Sequence, residues 1–189
     1  IASIKNGDRV TILEDDGSGW YRVDIGGGVT NVAVVSLDGI IAGLSMNIGG
    51  NNMDANIIDK IESCKGLRIG ALSAERVKNE IGSLAVGARG TTVVEGSLAS
   101  SYRPGSVSVQ ASEIAACIRV YIDKILEYAS LVLQKLPAEV AATVNQSGVY
   151  LSGGATKISF VPEYIAKSLN MRFHVCDEPQ FAVVSGAGA

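Results

Sequence analysis

The sequence DIGGGVTNVAVVSLDGIIAGLSMNIGGNNMDANII, residues 24–58, alternates glycine clusters with apolar runs. One β-prone run extends from Val29 to Leu37 and a second from Ile40 to Ile48. The Asp38-Gly39 pair between them is a strong signal for a tight hairpin turn. From Met53 the apolar spacing changes to three and four residues, which predicts a helix that ends near Gly66. The predicted order is therefore glycine loop, strand, tight turn, strand and helix.

Patterns on either side of this stretch extend the prediction. Residues 7–14 and 20–25 are expected to form a hairpin, and the segment 91–110 is β-prone. The other predicted elements are a helix from an N-cap at Ser73 to Gly82, a long helix over 112–136, a short helix with Pro137 as its first residue, strands at 148–151 and 173–175, and helices at 161–169 and from Pro179. A meander of strands followed by interleaved helices and strands predicts a mixed-sheet α/β domain.

The composition excludes several classes of protein. Of the 189 residues 47% are hydrophobic and 19% charged, a balance that is typical of a folded chain and not of a disordered one. The apolar runs are shorter than the roughly 20 residues that span a bilayer. The formal net charge is −3 and no block of Lys or Arg stands out, so no nucleic-acid partner is expected.

Glycine is enriched, with 22 of 189 residues, or about 12% against a usual level of roughly 7%. The cluster Gly26–Gly28 lies between two predicted strands and opens no helix, so it is neither a Walker loop nor a dinucleotide fingerprint. Successive glycines allow backbone N–H groups to converge on phosphate oxygens, and a carboxylate such as Asp24 can hold Mg²⁺ or its water shell. Taken alone, the motif fits an ordinary glycine hairpin with a turn aspartate equally well.

Four segments in order carry a family resemblance. Residues 24–58 resemble the second phosphate hairpin and following helix of the MreB-like bacterial actins, members of the actin-like ATPase superfamily that also contains sugar kinases. SAERVKNEIGS at 73–83 resembles the purine-contacting helix of that family, and LPAEVAATVNQSGVYLSGGAT at 136–156 its helix, strand and adenosine loop. DEPQFAVVSGAGA at 177–189 is similar to the closing segment of the family.

The resemblance implies a set of site residues. Asp24 would face Mg²⁺ through water, and Thr30 would lie near the γ-phosphate and the attacking water, as the catalytic candidate. The nucleotide contacts implied by the resemblance are the phosphate donors Gly26, Gly27 and Gly28, the purine and ribose helix residues Glu75, Arg76, Val77 and Lys78, and the adenosine loop Gly153, Gly154 and Ala155. The alternative for Glu75 and Lys78 is an exposed pair on a solvated helix face. The chain departs from the family pattern at Val29, Asn31 and Ala155, which implies a weaker grip on phosphate and base.

The resemblance also implies a domain organisation. Residues 24–189 are identified as the second, C-terminal lobe of an actin-like ATPase, with a small outer subdomain over about 66–110. Its expected fold is an actin-like (ribonuclease H-like) mixed sheet flanked by helices, with a small inserted α+β subdomain. Residues 1–23 are expected to form an N-terminal β-hairpin extension whose origin the sequence leaves open, and residues 6–23 partly resemble a bacterial SH3-type module.

The implied function is that of a nucleotide-binding lobe of a cell-shape-determining cytoskeletal protein that assembles into filaments with ATP. The implied cofactor is ATP or ADP with Mg²⁺, and the implied partners are further copies, the N-terminal lobe and membrane-associated wall-synthesis proteins. The expected location is the cytoplasm, at the inner face of the membrane. Because the opposing phosphate loop of the family belongs to the N-terminal lobe, ATPase activity is expected only with that lobe. The alternative is a lobe of a sugar or acetate kinase or of a chaperone-type ATPase of the same superfamily.

Overall fold

The computed structural model describes residues 20–36 and 39–187. Eight strands and six α-helices are assigned within these ranges. In chain order they are β1 (Trp20–Ile25), β2 (Thr30–Ser36), β3 (Gly39–Met46), α1 (Gly50–Lys65), β4 (Leu67–Arg68), α2 (Ala71–Ile81), β5 (Thr91–Leu98), β6 (Pro104–Gln110), α3 (Ala111–Gln134), α4 (Ala138–Ser147), β7 (Val149–Ser152), α5 (Val161–Leu169), β8 (Phe173–Val175) and α6 (Ala182–Ala187), with a 3₁₀ turn at Gly154–Lys157 after β7.

The main sheet has five strands in the order β3-β2-β1-β7-β8. β1, β2 and β3 form an antiparallel meander, whereas β7 runs parallel to β1, and β8 parallel to β7. β1 therefore pairs on both edges and lies at the centre of the sheet. Helices pack against the main sheet, and the predicted mixed-sheet α/β architecture is confirmed.

A second, antiparallel sheet of three strands has the order β4-β5-β6. Its residues, together with α2, fall within the segment 66–110 that the sequence assigns to a small outer subdomain. α2 contacts both β5 and α1, so it lies between the small sheet and the main body of the lobe.

Apolar spacing explains the two longest helices. On α1, Met53, Ile57 and Ile61 recur every four residues and are all buried. The helix ends where Gly66 takes the left-handed conformation at φ 66° and donates its N–H to the carbonyl of Glu62, as predicted. On α3 the buried apolar face faces α1, β2 and β3, and it includes Ile114, Ile118, Ile122 and Ile125. These faces join the sheet in one hydrophobic core.

Three helix starts differ from the prediction. α2 begins at Ala71 after Gly70, one turn earlier than the predicted N-cap Ser73, because Ala71 and Leu72 are strong helix formers. Pro137 is the N-cap of α4 and not its first residue. α6 begins at Ala182 and not at Pro179, whose carbonyl accepts the N–H of Gly153 in a preceding turn.

Several predictions for the first 40 residues fall partly or wholly outside the residues that the structure describes. The strand at 7–14, most of the proposed extension and Asp38 of the hairpin turn lie outside the described residues. The strand at 20–25 is confirmed as β1, which pairs with β2 and β7 from Trp20 and Tyr21 onward. The proposed boundary after residue 23 therefore falls inside the central strand of the sheet.

Candidate functional site

The parallel strands β1 and β7 end side by side. Asp24 is opposite Ser152 in the register, and Ile25 and Gly153 follow at the carboxyl ends of the two strands. Loops that leave the carboxyl ends of adjacent parallel strands are the usual place for a ligand in α/β sheets. The two glycine clusters of the sequence, about 125 residues apart in the chain, thus meet at one end of the sheet.

The glycine hairpin rests on the first turn of α1. Its turn is closed by the N–H of Gly26, which donates to the carbonyl of Val29 at 3.0 Å. The N–H of Gly50 donates to the Gly26 carbonyl at 3.0 Å, and that of Asn51 to the Gly27 carbonyl at 2.7 Å. The N–H groups of Gly50 and Asn51 in the first turn of α1 therefore hold the hairpin. The backbone of Gly27 and Gly28 is exposed to solvent.

The adenosine-loop candidates divide into two kinds. Gly153 has φ +90°, and a β carbon there would lie 2.2 Å from the carbonyl oxygen of Ile25. Gly154 is exposed, has no left-handed φ, and a β carbon there would meet nothing within 4 Å. Ala155 is buried in the 3₁₀ turn. The fold thus requires a glycine at 153, whereas it places no such demand on 154, where a side chain would enter open space beside the loop.

Asp24 lies at the end of β1 in a hydrogen-bonded network. The hydroxyl of Ser152 donates to Asp24 Oδ1 at 2.6 Å and accepts from Arg22 Nε at 3.2 Å and Nη2 at 3.1 Å. In the described ranges, 20–36 and 39–187, no group of three or more His, Cys, Asp or Glu side chains is placed to hold a metal. A cation held by phosphate oxygens and water, with Asp24 as a single carboxylate beside it, fits this donor set.

Lys78 occupies a buried position between α2 and α1. Its Nζ lies 2.8 Å from Asp54 Oδ2 and donates to the Gly50 carbonyl at 3.3 Å. Burial raises the pKa of Asp54 above its ordinary value, while the hydrogen bond from Lys78 opposes that shift. The alternative interpretation of Lys78 as an exposed partner of Glu75 is wrong, because the lysine is only 6% exposed and pairs with another helix.

Two of the predicted contact residues, Thr30 and Val77, have buried side chains. Thr30 is fully buried, and its hydroxyl donates to the carbonyl of Ile48 at 2.7 Å. A role near the γ-phosphate and the attacking water stays a prediction. Val77 is also fully buried in the core and offers no side-chain surface to a purine. Thr30 belongs to β2, an interior strand of the main sheet, and Val77 lies on the buried side of α2.

The remaining α2 candidates are exposed. Glu75 is exposed to solvent on the surface of α2. Arg76 pairs with Glu80 at 3.0 Å and also donates to the carbonyl of Val93 at 3.2 Å, so it is directed toward β5. A nucleotide contact by Glu75 or Arg76 stays a prediction.

Sequence reasoning missed three polar residues that complete the site. Ser152 and Arg22 reach Asp24 only because β7 is the neighbour of β1, and local sequence carries no signal for that pairing. Asp54 had a signal: it lies directly beside Met53 on the helix side that also carries Ile57, where an unpaired carboxylate is costly. A buried carboxylate at that position calls for a cationic partner from another element.

The comparison with protein families decides the assignment. The sequence model described as MreB/Mbl protein matches residues 7–189 of the chain. The chain belongs to the MreB/Mbl family. The matched range includes residues 7–23, which lie in the segment that partly resembles an SH3-type module.

Curated MreB and Mbl proteins align with nearly the whole chain. The cell shape-determining protein MreB of Escherichia coli (strain K12) is 30% identical over 180 residues, covering 92% of this chain and 50% of the relative. The cell shape-determining protein Mbl of Bacillus subtilis (strain 168) is 29% identical over 172 residues, covering 90% and 52%. The chain spans about half the length of these relatives.

Solved structures of MreB proteins share the fold. The crystal structure of MreB5 of Spiroplasma citri bound to ADP superposes with a TM-score of 0.86 at 26% identity, covering 91% of this chain and 53% of that one. The same protein bound to AMPPNP gives the same TM-score. A MamK double helical filament, at a TM-score of 0.73 and 21% identity, shares the fold. The predicted actin-like fold is confirmed. Within residues 20–36 and 39–187, none of the helices combines the length and the hydropathy that a transmembrane span needs.

Proposed function

We propose that this lobe binds an adenine nucleotide at the carboxyl ends of β1 and β7. The phosphates would lie against the exposed backbone of Gly27 and Gly28, and the adenosine would lie over the loop that contains Gly154. The observation that carries this proposal is the open space at Gly154, a glycine that the packing of the chain itself does not require. The related MreB5 of Spiroplasma citri, which has been solved with ADP and with AMPPNP, supports it.

Mg²⁺ would accompany the nucleotide. Its charge would neutralise the phosphate oxygens, and the carboxylate of Asp24 would hold it through water. Ser152 would keep that carboxylate oriented, because its hydroxyl donates to Oδ1 from the adjacent strand.

The biological role we infer is that of one half of a cytoskeletal ATP clamp. Membership in the MreB/Mbl family favours this role over a kinase or chaperone lobe. The whole protein would assemble into filaments with ATP, in the cytoplasm and at the inner face of the membrane, and would guide wall-synthesis proteins. Hydrolysis would need the N-terminal lobe, since phosphoryl transfer depends on groups positioned on both sides of the phosphate chain.

Calorimetric titration of the chain with Mg-ADP tests the nucleotide site. Gly154→Val places a branched side chain in the space assigned to adenosine, and we expect it to abolish measurable binding while thermal unfolding stays unchanged. Gly70→Val is the matched control, because Gly70 also has open surroundings and an ordinary φ of −92°. It lies at the far end of α2, about 12 Å from Lys78 along the helix axis. Equal affinity in both variants would move the site elsewhere.

Sedimentation tests the cytoskeletal role. The chain joined to an N-terminal lobe from an MreB relative is expected to pellet with Mg-ATP and to remain in the supernatant with no nucleotide. A joined protein that binds ATP and never pellets would contradict the filament proposal and leave the nucleotide site standing.

A further inference from the structure

The buried ion pair between Lys78 and Asp54 lies next to the glycine hairpin. Lys78 is 6% exposed and Asp54 is 7% exposed. Asp54 Oδ1 is buried and has no hydrogen-bond partner among the described residues. A buried pair of this kind loses so much hydration that it often stabilises a protein no more than an apolar pair of similar size. The effect of this pair therefore lies in the geometry that it imposes on the residues around it.

A continuous series of contacts links this pair to the hairpin. Lys78 Nζ bonds to Asp54 and also to the carbonyl of Gly50, the first residue of α1. The N–H of Gly50 in turn donates to the carbonyl of Gly26. A β carbon at position 50 would lie 3.3 Å from Lys78 Nζ, so the ammonium group sits directly against this turn. The lysine therefore contacts the residue on which the hairpin rests.

We propose that Lys78 and Asp54 are positioning residues that fix the first turn of α1 and, through it, the phosphate-facing backbone of the glycine hairpin. This inference rests on the nucleotide site proposed above. It assigns Lys78 to the phosphate end of the site by an indirect route, and it replaces the direct purine contact that the resemblance implies. The ammonium group is directed at Asp54 and Gly50, and the residue has little surface left for a base.

The arrangement also couples two parts of the lobe. Lys78 belongs to α2, which contacts β5 of the small sheet, whereas Asp54 belongs to α1, which holds the hairpin. A change in the angle between α2 and α1 would therefore reach the hairpin in part through the Lys78 ammonium group. Nucleotide phosphates that bind the hairpin would in turn favour one position of the small sheet.

The variant that tests the inference replaces the pair by apolar side chains of similar length, Lys78→Met with Asp54→Leu. This change removes the contact with Gly50 and leaves no unpaired charge in the core. We expect a folded protein in which the amide hydrogens of Gly50 and Asn51 exchange at least tenfold faster than in the wild type, measured by NMR with no nucleotide added. Unchanged exchange at both amides in the folded variant would overturn the inference.

Binding measurements then separate positioning from direct contact. We expect the affinity for Mg-ADP to fall about tenfold in this variant, which corresponds to the loss of one hydrogen bond to a charged group, while the affinity for adenosine changes less than twofold. An equal loss for adenosine would identify Lys78 as a purine ligand and would overturn the positioning role. If the wild type binds neither compound, the proposed nucleotide site fails, and amide exchange still decides the positioning role.

Two further variants keep the test sound. Lys65→Met removes the ion pair with Glu113 at the opposite end of α1, 15 residues and about 22 Å from Gly50. It should alter neither the amide exchange of Gly50 and Asn51 nor the ratio of the affinities for Mg-ADP and adenosine. Lys78→Met with Asp54→Asn also removes the contact with Gly50 and leaves no unpaired charge, keeps the size of the side chain at position 54, and serves if the first double variant does not fold. It should show the same selective loss of affinity for Mg-ADP. A ratio of Mg-ADP affinity to adenosine affinity equal to that of the wild type would contradict the proposal.

Discussion

Gly153 and Ile25 lie in direct backbone contact where β7 and β1 end: a β carbon at position 153 would stand 2.2 Å from the Ile25 carbonyl oxygen. This contact brings the loop after β7 against the glycine hairpin after β1. A side chain at 153 would separate the two loops, and it would also strain a residue with φ +90°.

Gly153→Ala is expected to lower the free energy of unfolding by about 2–4 kcal/mol, because backbone must move to make room for the methyl group. Gly154→Ala, one residue further, should stay within about 0.5 kcal/mol of the wild type. Urea unfolding followed by circular dichroism measures both. Equal stability of the two variants would show that the contact with Ile25 is not close.

Gly49→Ala should displace the glycine hairpin. A β carbon at 49 would lie 2.5 Å from the carbonyl oxygens of both Gly26 and Gly27. We expect a loss of about 2–3 kcal/mol in the free energy of unfolding. We also expect large changes in the NMR chemical shifts of the Gly26 and Gly27 amides. The control is Gly28→Ala, whose β carbon would approach only the Asn51 side chain, at 4.0 Å. A Gly49→Ala protein with the stability of the control would contradict the close packing of hairpin and helix.

Thr30 is predicted to act in stability through its buried hydroxyl. Thr30→Val keeps the shape of the side chain and leaves the carbonyl of Ile48 without its 2.7 Å donor, so we expect a loss of about 1–3 kcal/mol. Thr30→Ser keeps the donor and removes one methyl group, with an expected loss of about 1 kcal/mol. Thermal and urea unfolding compare the two. A valine variant more stable than the serine variant would argue against the hydrogen bond.

Glu113 makes part of the stability of the lobe depend on pH. Its carboxylate accepts from the N–H of Gln110 at 2.9 Å at the start of α3 and lies 3.1 Å from Lys65 Nζ at the end of α1. The hydrogen bond from Gln110, followed by the interaction with Lys65, lowers the pKa of Glu113 below its ordinary value of 4.5. Its contribution is therefore complete above pH 4.5 and is lost as the pH falls through the lower pKa of the folded state.

Glu113→Gln should accordingly be less stable than the wild type by about 1 kcal/mol at pH 7, the usual size of a helix-capping contribution. The difference should shrink as the pH falls below 4.5 and disappear once the wild-type carboxylate is protonated. Urea unfolding of both proteins at a series of pH values measures it. A difference that is constant from pH 7 to pH 3 would mean that the charge of Glu113 is not responsible.

Local sequence determined the individual elements of this protein. The four-residue spacing of Met53, Ile57 and Ile61 predicted α1, and Gly66 predicted its end, because periodicity and capping act within one or two turns of chain. The predicted start of α2 is three residues too late. The helix propensity of Ala71 and Leu72 outweighs the capping signal at Ser73. The two glycine loops and the order of the motifs, which suggested an actin-like lobe, are likewise visible in the chain itself.

Tertiary structure alone decided which polar groups meet. Asp24 and Ser152 are 128 residues apart and bond because β7 is the parallel neighbour of β1. Lys78 turns away from solvent to Asp54 because α2 packs on α1 at that level. Burial also directs the hydroxyl of Thr30 to the carbonyl of Ile48 and not to solvent. Such outcomes depend on strand order and helix packing, which are set by the burial of the whole core, so a local pattern can mark a buried polar residue such as Asp54 but does not encode its partner.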